Sequence, residues 1–270
     1  MSYVIALSNE KGGVAKTTTS LALGSALAGM NHRVLLVDLD SQADLTLGAG
    51  LYPNKVPYAS IDILNPGITK TFNVVSLCLP TELTNLDIIP SNGDMFFLEQ
   101  KLPSLSKSPL TLRQSLRPLS PLPYDFTIID CPPALGPLTV NALAAADLLI
   151  IPTQAEYFSV YSLGKMMSLI RHIRKEINPE LAYRILVTLL DLRNRVHLNV
   201  LNHIQRVFGE TLFETRIEMD TKIRESQTEG IPIIKYMPST RGSIQYMSLA
   251  QELLEYVEKA QQQTARSALR

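Results

Sequence analysis

The chain has 270 residues, enough for one large α/β domain or two small ones. Hydrophobic residues make up 46% of it, which is typical of a globule with a packed core, and no apolar run reaches the ~18 residues of a transmembrane helix. The 25 Lys and Arg residues balance the 25 Asp and Glu residues, so DNA binding would need a local basic patch rather than an overall positive field. The N-terminus lacks the basic region of a signal peptide, and the two cysteines form no C-x-x-C pair, which favours free thiols in a reducing cytoplasm.

The first motif is a glycine loop between a buried strand and a helix. The apolar run Tyr3 to Leu7 predicts the strand, and Thr17 to Ala28 predicts the helix. Residues 10–18 of the loop read Glu-Lys-Gly-Gly-Val-Ala-Lys-Thr-Thr. Backbone N–H groups around paired glycines form a concave anion site, to which the helix adds its positive end. The pattern predicts a nucleotide phosphate site in which Lys16 contacts phosphate and the Thr17 hydroxyl binds Mg²⁺.

Two more buried strands are predicted to end in carboxylates. Arg33 to Asp38 is followed by Leu39 and Asp40, and Tyr124 to Asp130 forms a Walker B strand. Ligands collect at the carboxyl ends of parallel strands, where carboxylates can hold Mg²⁺ and water. Either carboxylate at the end of the first of these strands could instead cap the next helix.

The remaining elements alternate between strands and helices. The predicted strands are 86–90, 147–152, 183–190 and a remnant at 212–213; the predicted helices are 60–64, 91–102, 110–116, 138–146, 153–176, 196–208 and 244–260. Proline interrupts the chain repeatedly at 52–85 and 103–123. The alternation predicts a single α/β domain.

These motifs resemble the ParA/MinD family of P-loop ATPases, whose deviant Walker A box reads K-G-G-x-G-K-[ST]-[ST]. Lys-Gly-Gly-Val-Ala-Lys-Thr-Thr matches it except at Ala15, which replaces a glycine. Asp-Leu-Asp-Ser-Gln resembles the family's D-x-D-P-Q, and Asp-Cys-Pro-Pro-Ala-Leu-Gly resembles its D-x-P-P-x-x-G. If the backbone at Ala15 needs a positive φ, alanine costs roughly 1 kcal/mol or more; in helical backbone it costs little.

The resemblance implies a doubly wound, SIMIBI-like α/β fold with a mainly parallel sheet of about seven or eight strands and helices on both faces. It implies one ATPase domain over residues 1–260 and a polar tail over 261–270. It also implies ATP and Mg²⁺ as cofactors, with slow, partner-stimulated hydrolysis. The implied nucleotide-binding residues are Lys11, Gly12, Gly13, Val14, Ala15, Lys16, Thr17, Thr18, Asp191 and Pro232, and the implied magnesium site comprises Thr17, Asp130 and Asp40.

Roles follow from the same resemblance. Lys16 and the loop amides would hold the phosphates, Asp38 would position the attacking water, and Asp40 would support the site. Lys11 would cross the interface of an ATP-sandwiched homodimer to contact the partner's phosphates. The candidate DNA contacts are Lys222, Arg193, Arg195, Arg216, Arg224 and Arg241. Glu218 and Met219 replace the family's Pro-Arg in this region.

The implied function is that of a short ParA-type partitioning ATPase. Its ATP dimer would bind nonspecific DNA on the nucleoid, and a cargo-bound adaptor protein would stimulate hydrolysis and release it. A MinD-like positioning role also remains, although the tail has one Leu and no aromatic residue, which does not favour membrane docking.

Two further alternatives stay open. One is a nucleotide-gated protein-binding switch with negligible hydrolysis. The other is an electron-transfer ATPase resembling the nitrogenase iron protein, which would need two suitably placed cysteines. Cys131 lies within the Walker B motif and Cys78 in an irregular region, which disfavours that alternative.

Overall fold

A computed structural model describes residues 2–64, 74–102, 108–117 and 122–268. Residues 65–73 of the predicted break at 52–85, and residues 103–107 and 118–121 of the one at 103–123, therefore lie outside the described residues. The strands are β1 (Tyr3–Leu7), β2 (Val34–Asp38), β3 (Leu79–Pro80), β4 (Leu86–Ile89), β5 (Phe126–Asp130), β6 (Leu148–Gln154) and β7 (Ala182–Thr188). The helices are α1 (Lys16–Gly29), α2 (Asp44–Gly48), α3 (Ile61–Leu64), α4 (Met95–Lys101), α5 (Thr111–Leu116), α6 (Pro137–Ala145), α7 (Tyr157–Glu176), α8 (Arg195–Phe208), α9 (Thr221–Thr228), α10 (Ile233–Tyr236) and α11 (Arg241–Ala268).

The described strands form one seven-stranded sheet in the order β3-β4-β2-β5-β1-β6-β7. Six strands are parallel, and only β3 at the edge runs antiparallel, against β4. Parallel neighbours need crossover connections, which here are mostly helical, so helices cover both faces. The predicted α/β class with a mainly parallel sheet is confirmed.

The sheet separates two hydrophobic cores, because successive strand residues point to opposite faces. In β1, Val4 and Ala6 pack into the core beneath α5 to α8, whereas Ile5 and Leu7 pack into the core beneath α1 and α11. Gly24 in α1 allows a close approach to the sheet, since a Cβ atom there would lie 2.7 Å from Leu36 Cδ2. Every residue of β2 and β5, and every residue of β1 except Tyr3, is buried, which explains their continuous apolar sequences.

Several boundaries differ from the sequence predictions. The last helix begins at Arg241 and continues to Ala268, so it includes most of the segment predicted as a tail. Residues 212–213 are not a strand: Leu212 forms an isolated bridge with Ile185. The two-residue strand β3 was not predicted, because it consists of Leu79 and a proline on a sheet edge. Within the described ranges, no helix is long and apolar enough to cross a bilayer.

Candidate functional site

The glycine loop follows the central strand β1 and leads directly into α1. Gly13 has φ +71°, and a Cβ atom on Gly12 or Gly13 would meet nothing within 4 Å, so the loop backbone faces open space. The Thr188 hydroxyl donates to the Val14 carbonyl at 3.0 Å and ties the loop to the end of β7. A glycine loop that leads into the start of a 14-residue helix is the backbone arrangement that an anion site requires.

Ala15 adopts the left-handed conformation, with φ 63° and ψ 35°, immediately before α1. Of the two possibilities left open by the sequence, the structure shows the strained one. Glycine is the residue that normally occupies this region, because a Cβ atom crowds the neighbouring carbonyl. The substitution at the family's glycine position therefore stores strain beside the phosphate site.

Asp130 lies beneath the start of α1 and binds two of its hydroxyl groups. Its carboxylate accepts hydrogen bonds from Thr17 Oγ1 at 2.7 Å and Ser20 Oγ at 2.8 Å. Burial raises the pKa of Asp130 to about 6, against the lowering effect of both hydroxyls and of Lys16. Lys16 is also buried, and burial lowers its pKa while Asp130 raises it. The Thr17 hydroxyl and the Asp130 carboxylate are oxygen donors that suit Mg²⁺, and the neighbouring Lys16 suits a phosphate bound with it.

The two carboxylates after β2 have different surroundings. Asp38 is fully buried and accepts hydrogen bonds from the Thr46 amide (3.0 Å), the Thr46 hydroxyl (2.7 Å) and the Asp40 amide (3.1 Å). Burial is also the main reason that the pKa of Asp38 rises to about 8. Asp40 is partly exposed and lines the cleft described next. The structure thus exposes Asp40, and not Asp38, to the cleft, and the expectation that Asp38 positions the attacking water is not supported by its burial.

A cleft of about 1030 Å³ opens above these groups. Of the predicted site residues, those on its wall are Gly12, Gly13, Ala15, Lys16, Thr17, Thr18, Asp40, Asp191, Arg193 and Arg224. Val14 is buried behind the loop, and Pro232 lies in a separate small cavity with Gly230 and Lys235, so neither belongs to the wall. The expectation that Pro232 contacts nucleotide is therefore not supported by its position.

The cleft also contains residues that the sequence did not single out. Glu99 of α4 lines it, and the glycine at 136 makes room for this side chain, because a Cβ atom there would lie 2.8 Å from Glu99 Oε1. Gln227 of α9 also lines it and donates to Thr18 Oγ1 at 2.7 Å. No short-range pattern marks either residue, since Gln227 lies 209 positions from its partner.

Lys11 lies outside the cleft wall and points toward α7. Its ammonium donates to Glu156 Oε2 at 2.5 Å and Gln154 Oε1 at 2.8 Å, with Ser159 Oγ at 3.4 Å. Next to it, Glu10 accepts from Lys165 of α7 at 2.7 Å. Lys11 therefore points away from the cleft of its own chain, and two ion pairs hold the start of the loop beside α7.

Three of the six candidate DNA contacts are neutralised within the chain. Arg193 binds both carboxylate oxygens of Asp191, Lys222 binds Glu225 at 2.7 Å, and Arg241 binds Glu218 at 3.0 Å. Glu218, which stands in place of the family's proline, also accepts from Gln245 at 2.9 Å. Among the described residues, Arg195, Arg216 and Arg224 form no ion pair within 4.0 Å.

Comparison with known proteins agrees with this architecture. The family described as the AAA domain matches residues 2–183. Soj, the sporulation initiation inhibitor of Bacillus subtilis, is 37% identical over 94% of this chain and 98% of its own length. The chromosome partitioning protein ParA of Caulobacter vibrioides is 34% identical over 93% of each sequence. The chain belongs to the ParA/MinD family of deviant Walker A ATPases. The predicted family is thereby confirmed.

A solved structure from the wider fold gives the same picture. Cobyrinic acid a,c-diamide synthase from Mycobacterium smegmatis, crystallised with ADP and magnesium, superposes with a TM-score of 0.82 at 31% identity, covering 96% of this chain and 97% of that one. The burial of the two cysteines disfavours the electron-transfer alternative, which needs cysteines at the surface to hold a metal cluster between two chains. Cys131 is fully buried and Cys78 is half-buried.

Proposed function

We propose that this protein is a ParA-type partitioning ATPase that binds MgATP in the cleft. The observation that carries this proposal is the group formed by the buried Lys16 and Asp130 and the partly buried Thr17, with Lys16 and Thr17 on the wall of a cleft of about 1030 Å³. Buried charge is costly unless it has a partner or a ligand, so this arrangement suits an anionic phosphate with its metal ion. The similarity to Soj and ParA supports the partitioning role.

Different residues of the chain would bind phosphate, hold Mg²⁺ and orient the attacking water during slow hydrolysis. Lys16 and the loop amides bind and orient the phosphates, while Thr17, Asp130 and Asp40 would hold Mg²⁺, which supplies charge neutralisation when bound. Asp40 also faces the cleft and can accept a hydrogen bond from the attacking water. Asp38 positions Asp40 through the Asp40 amide and is shielded from the reaction itself.

In this proposal, Lys11 couples nucleotide binding to dimerisation. The lysine is held away from its own cleft by Glu156, so its proposed phosphate partner belongs to a second copy of the chain. The ATP dimer would bind nonspecific DNA through the cations near the cleft, and an adaptor on the cargo would trigger hydrolysis and release. The protein would then be cytoplasmic and associated with the nucleoid in its ATP state.

A second function is favoured by two observations. Glu218 neutralises Arg241, and Ala15 strains the phosphate loop. Both suit a nucleotide-gated switch that binds a protein partner and hydrolyses little ATP.

The test measures nucleotide binding and phosphate release for the wild type, Lys16→Ala and Lys175→Ala. Lys16→Ala should abolish both, whereas Lys175→Ala removes an exposed lysine at the end of α7 and should change neither. Wild-type binding without phosphate release, even with DNA and the adaptor present, would favour the switch. If Lys16→Ala binds nucleotide as well as Lys175→Ala does, the proposed nucleotide site is wrong.

A further inference from the structure

A single hydrogen bond joins α9 to α1 on the wall of the cleft. The side-chain amide of Gln227 donates to Thr18 Oγ1 at 2.7 Å, and both residues line the cleft. Gln227 is exposed and Thr18 is partly buried. An exposed hydrogen bond adds little to the stability of a fold, because water can replace either partner. Its place on the cleft wall therefore suggests a role toward the ligand.

The packing of α9 does not depend on this hydrogen bond. Asp220 accepts from the Lys222 amide at the start of α9 and from the Gly242 amide at the start of α11, both at 2.9 Å. Thr19 of α1 and Tyr246 of α11 share a buried hydrogen bond of 3.1 Å. Because α11 is joined to both α1 and α9 by these contacts, α9 would keep its place without a direct bond to α1.

The direction of the hydrogen bond determines what the Thr18 hydroxyl can do. A hydroxyl has one proton to donate and two lone pairs that accept. Gln227 donates through an N–H group and so occupies one lone pair of Thr18 Oγ1. The hydroxyl proton therefore points away from Gln227 and is left for another acceptor.

The surroundings of Thr18 suit an anionic acceptor. Thr18 lies in the first turn of α1, on the wall of the cleft. The first hydrogen bond of this helix runs from the Thr19 amide to the Ala15 carbonyl at 2.9 Å, so the Thr18 amide has no acceptor within the helix. The amide and the hydroxyl proton are thus two donors at the positive end of a helix, which favours an oxygen atom of a phosphate.

We propose that Gln227 is a positioning residue for the nucleotide: by donating to Thr18, it directs the hydroxyl proton toward a phosphate in the cleft. The inference rests on the nucleotide site of the proposed function and adds to it a residue of α9. Without Gln227, the hydroxyl rotates and must be ordered when the nucleotide binds. A donor that is already oriented avoids this cost and raises the affinity.

The test measures the Kd of ADP and of a slowly hydrolysed ATP analogue, each with Mg²⁺, by isothermal titration calorimetry. Gln227→Met keeps the length of the side chain but removes the N–H donor, and it should weaken both ligands roughly fivefold. Gln205→Met is the matched control, because Gln205 is exposed on α8 and accepts a hydrogen bond from Arg216 outside the cleft wall. It should change either Kd by less than about twofold.

Variants of Thr18 show whether Gln227 acts through the hydroxyl. Thr18→Val removes the hydroxyl and should weaken both ligands roughly tenfold. Adding Gln227→Met to this variant should cause no further loss, since the two changes remove the same interaction. Thr18→Ser keeps the hydroxyl, so it should bind within about twofold of the wild type and should again lose affinity when Gln227→Met is added.

Each other outcome would overturn the inference. Gln227→Met could bind both ligands as the wild type does, or the control could weaken them equally. An equal loss from Gln227→Met in the Thr18→Val chain would mean that the effect does not pass through the hydroxyl. A lower urea midpoint for Gln227→Met without nucleotide would mean that the hydrogen bond supports the fold instead. In these cases the nucleotide site itself stands, whereas a wild type that binds neither ligand would overturn the proposed function as well.

Discussion

Replacing Ala15 by glycine should stabilise the protein, although it removes a methyl group. At φ 63° and ψ 35°, an L-residue costs about 1–2 kcal/mol relative to right-handed backbone. Glycine avoids this cost but loses about 0.5–1 kcal/mol through the greater entropy of the unfolded chain. The middle of each range predicts a gain of roughly 0.8 kcal/mol in the free energy of unfolding. In a protein of this size, that gain raises Tm by roughly 2–3 °C.

The assay is urea unfolding without nucleotide, followed by far-ultraviolet circular dichroism because the chain has no Trp. Ala260→Gly, in the right-handed backbone of α11, is the control of opposite sign and should lower stability by up to about 1 kcal/mol. Ala15→Gly that is no more stable than the wild type, or an equal loss of stability in both glycine variants, would show that Ala15 is not strained.

Three other predictions concern charged groups. Burial raises the pKa of Asp38 to about 8, so the folded chain retains a proton that the unfolded chain has lost. The free energy of unfolding should therefore fall as pH rises from about 5 to 8, by at most about 1.4 kcal/mol per pH unit for this group. Asp38→Asn should make this fall shallower. Urea titrations at several pH values that give the same dependence on pH for the wild type and Asp38→Asn would contradict this. Lys11→Ala should remain monomeric with the ATP analogue in sedimentation velocity, and a fully dimeric variant would remove the role of Lys11 in trans. Glu218→Gln should free Arg241, tighten DNA binding a few-fold and steepen the log–log salt dependence by about 1; equal tightening by Glu229→Gln, which removes the same charge at the end of α9, would mean that net charge alone is responsible.

Much of the fold could be predicted because its signals are local. A continuous apolar run is what a strand buried on both faces requires, and those ending at Leu7, Asp38 and Asp130 proved to be three adjacent strands of the sheet. The position of the glycine loop, between a strand and a helix, was also predictable from its own residues, although the backbone conformation of Ala15 was not. Helix ends were less certain: the sequence after Ala260 is polar, but polar residues are compatible with an exposed helix, and α11 continues.

The site was predicted less completely because its details depend on distant contacts. The partner of Lys11 is 145 positions away, and the sequence does not say which lysine will meet which glutamate. Asp38 and Asp40 both follow the apolar run of β2, and the sequence does not show that Thr46 donates two hydrogen bonds to the buried Asp38. Pro232 matched a family motif, yet its loop turns into another cavity. Each case is decided by tertiary packing, which short-range patterns do not record.

The most direct test of the central claim is co-sedimentation with nonspecific DNA in the presence of ATP, ADP or no nucleotide, at two salt concentrations. If the ATP-bound dimer contacts DNA phosphates, the protein should bind DNA only with ATP, and the higher salt concentration should weaken this binding. Absence of binding in every state would contradict a DNA-based partitioning role and leave an ATP-dependent protein whose partner is not DNA. Equal binding in all three states would contradict control by nucleotide.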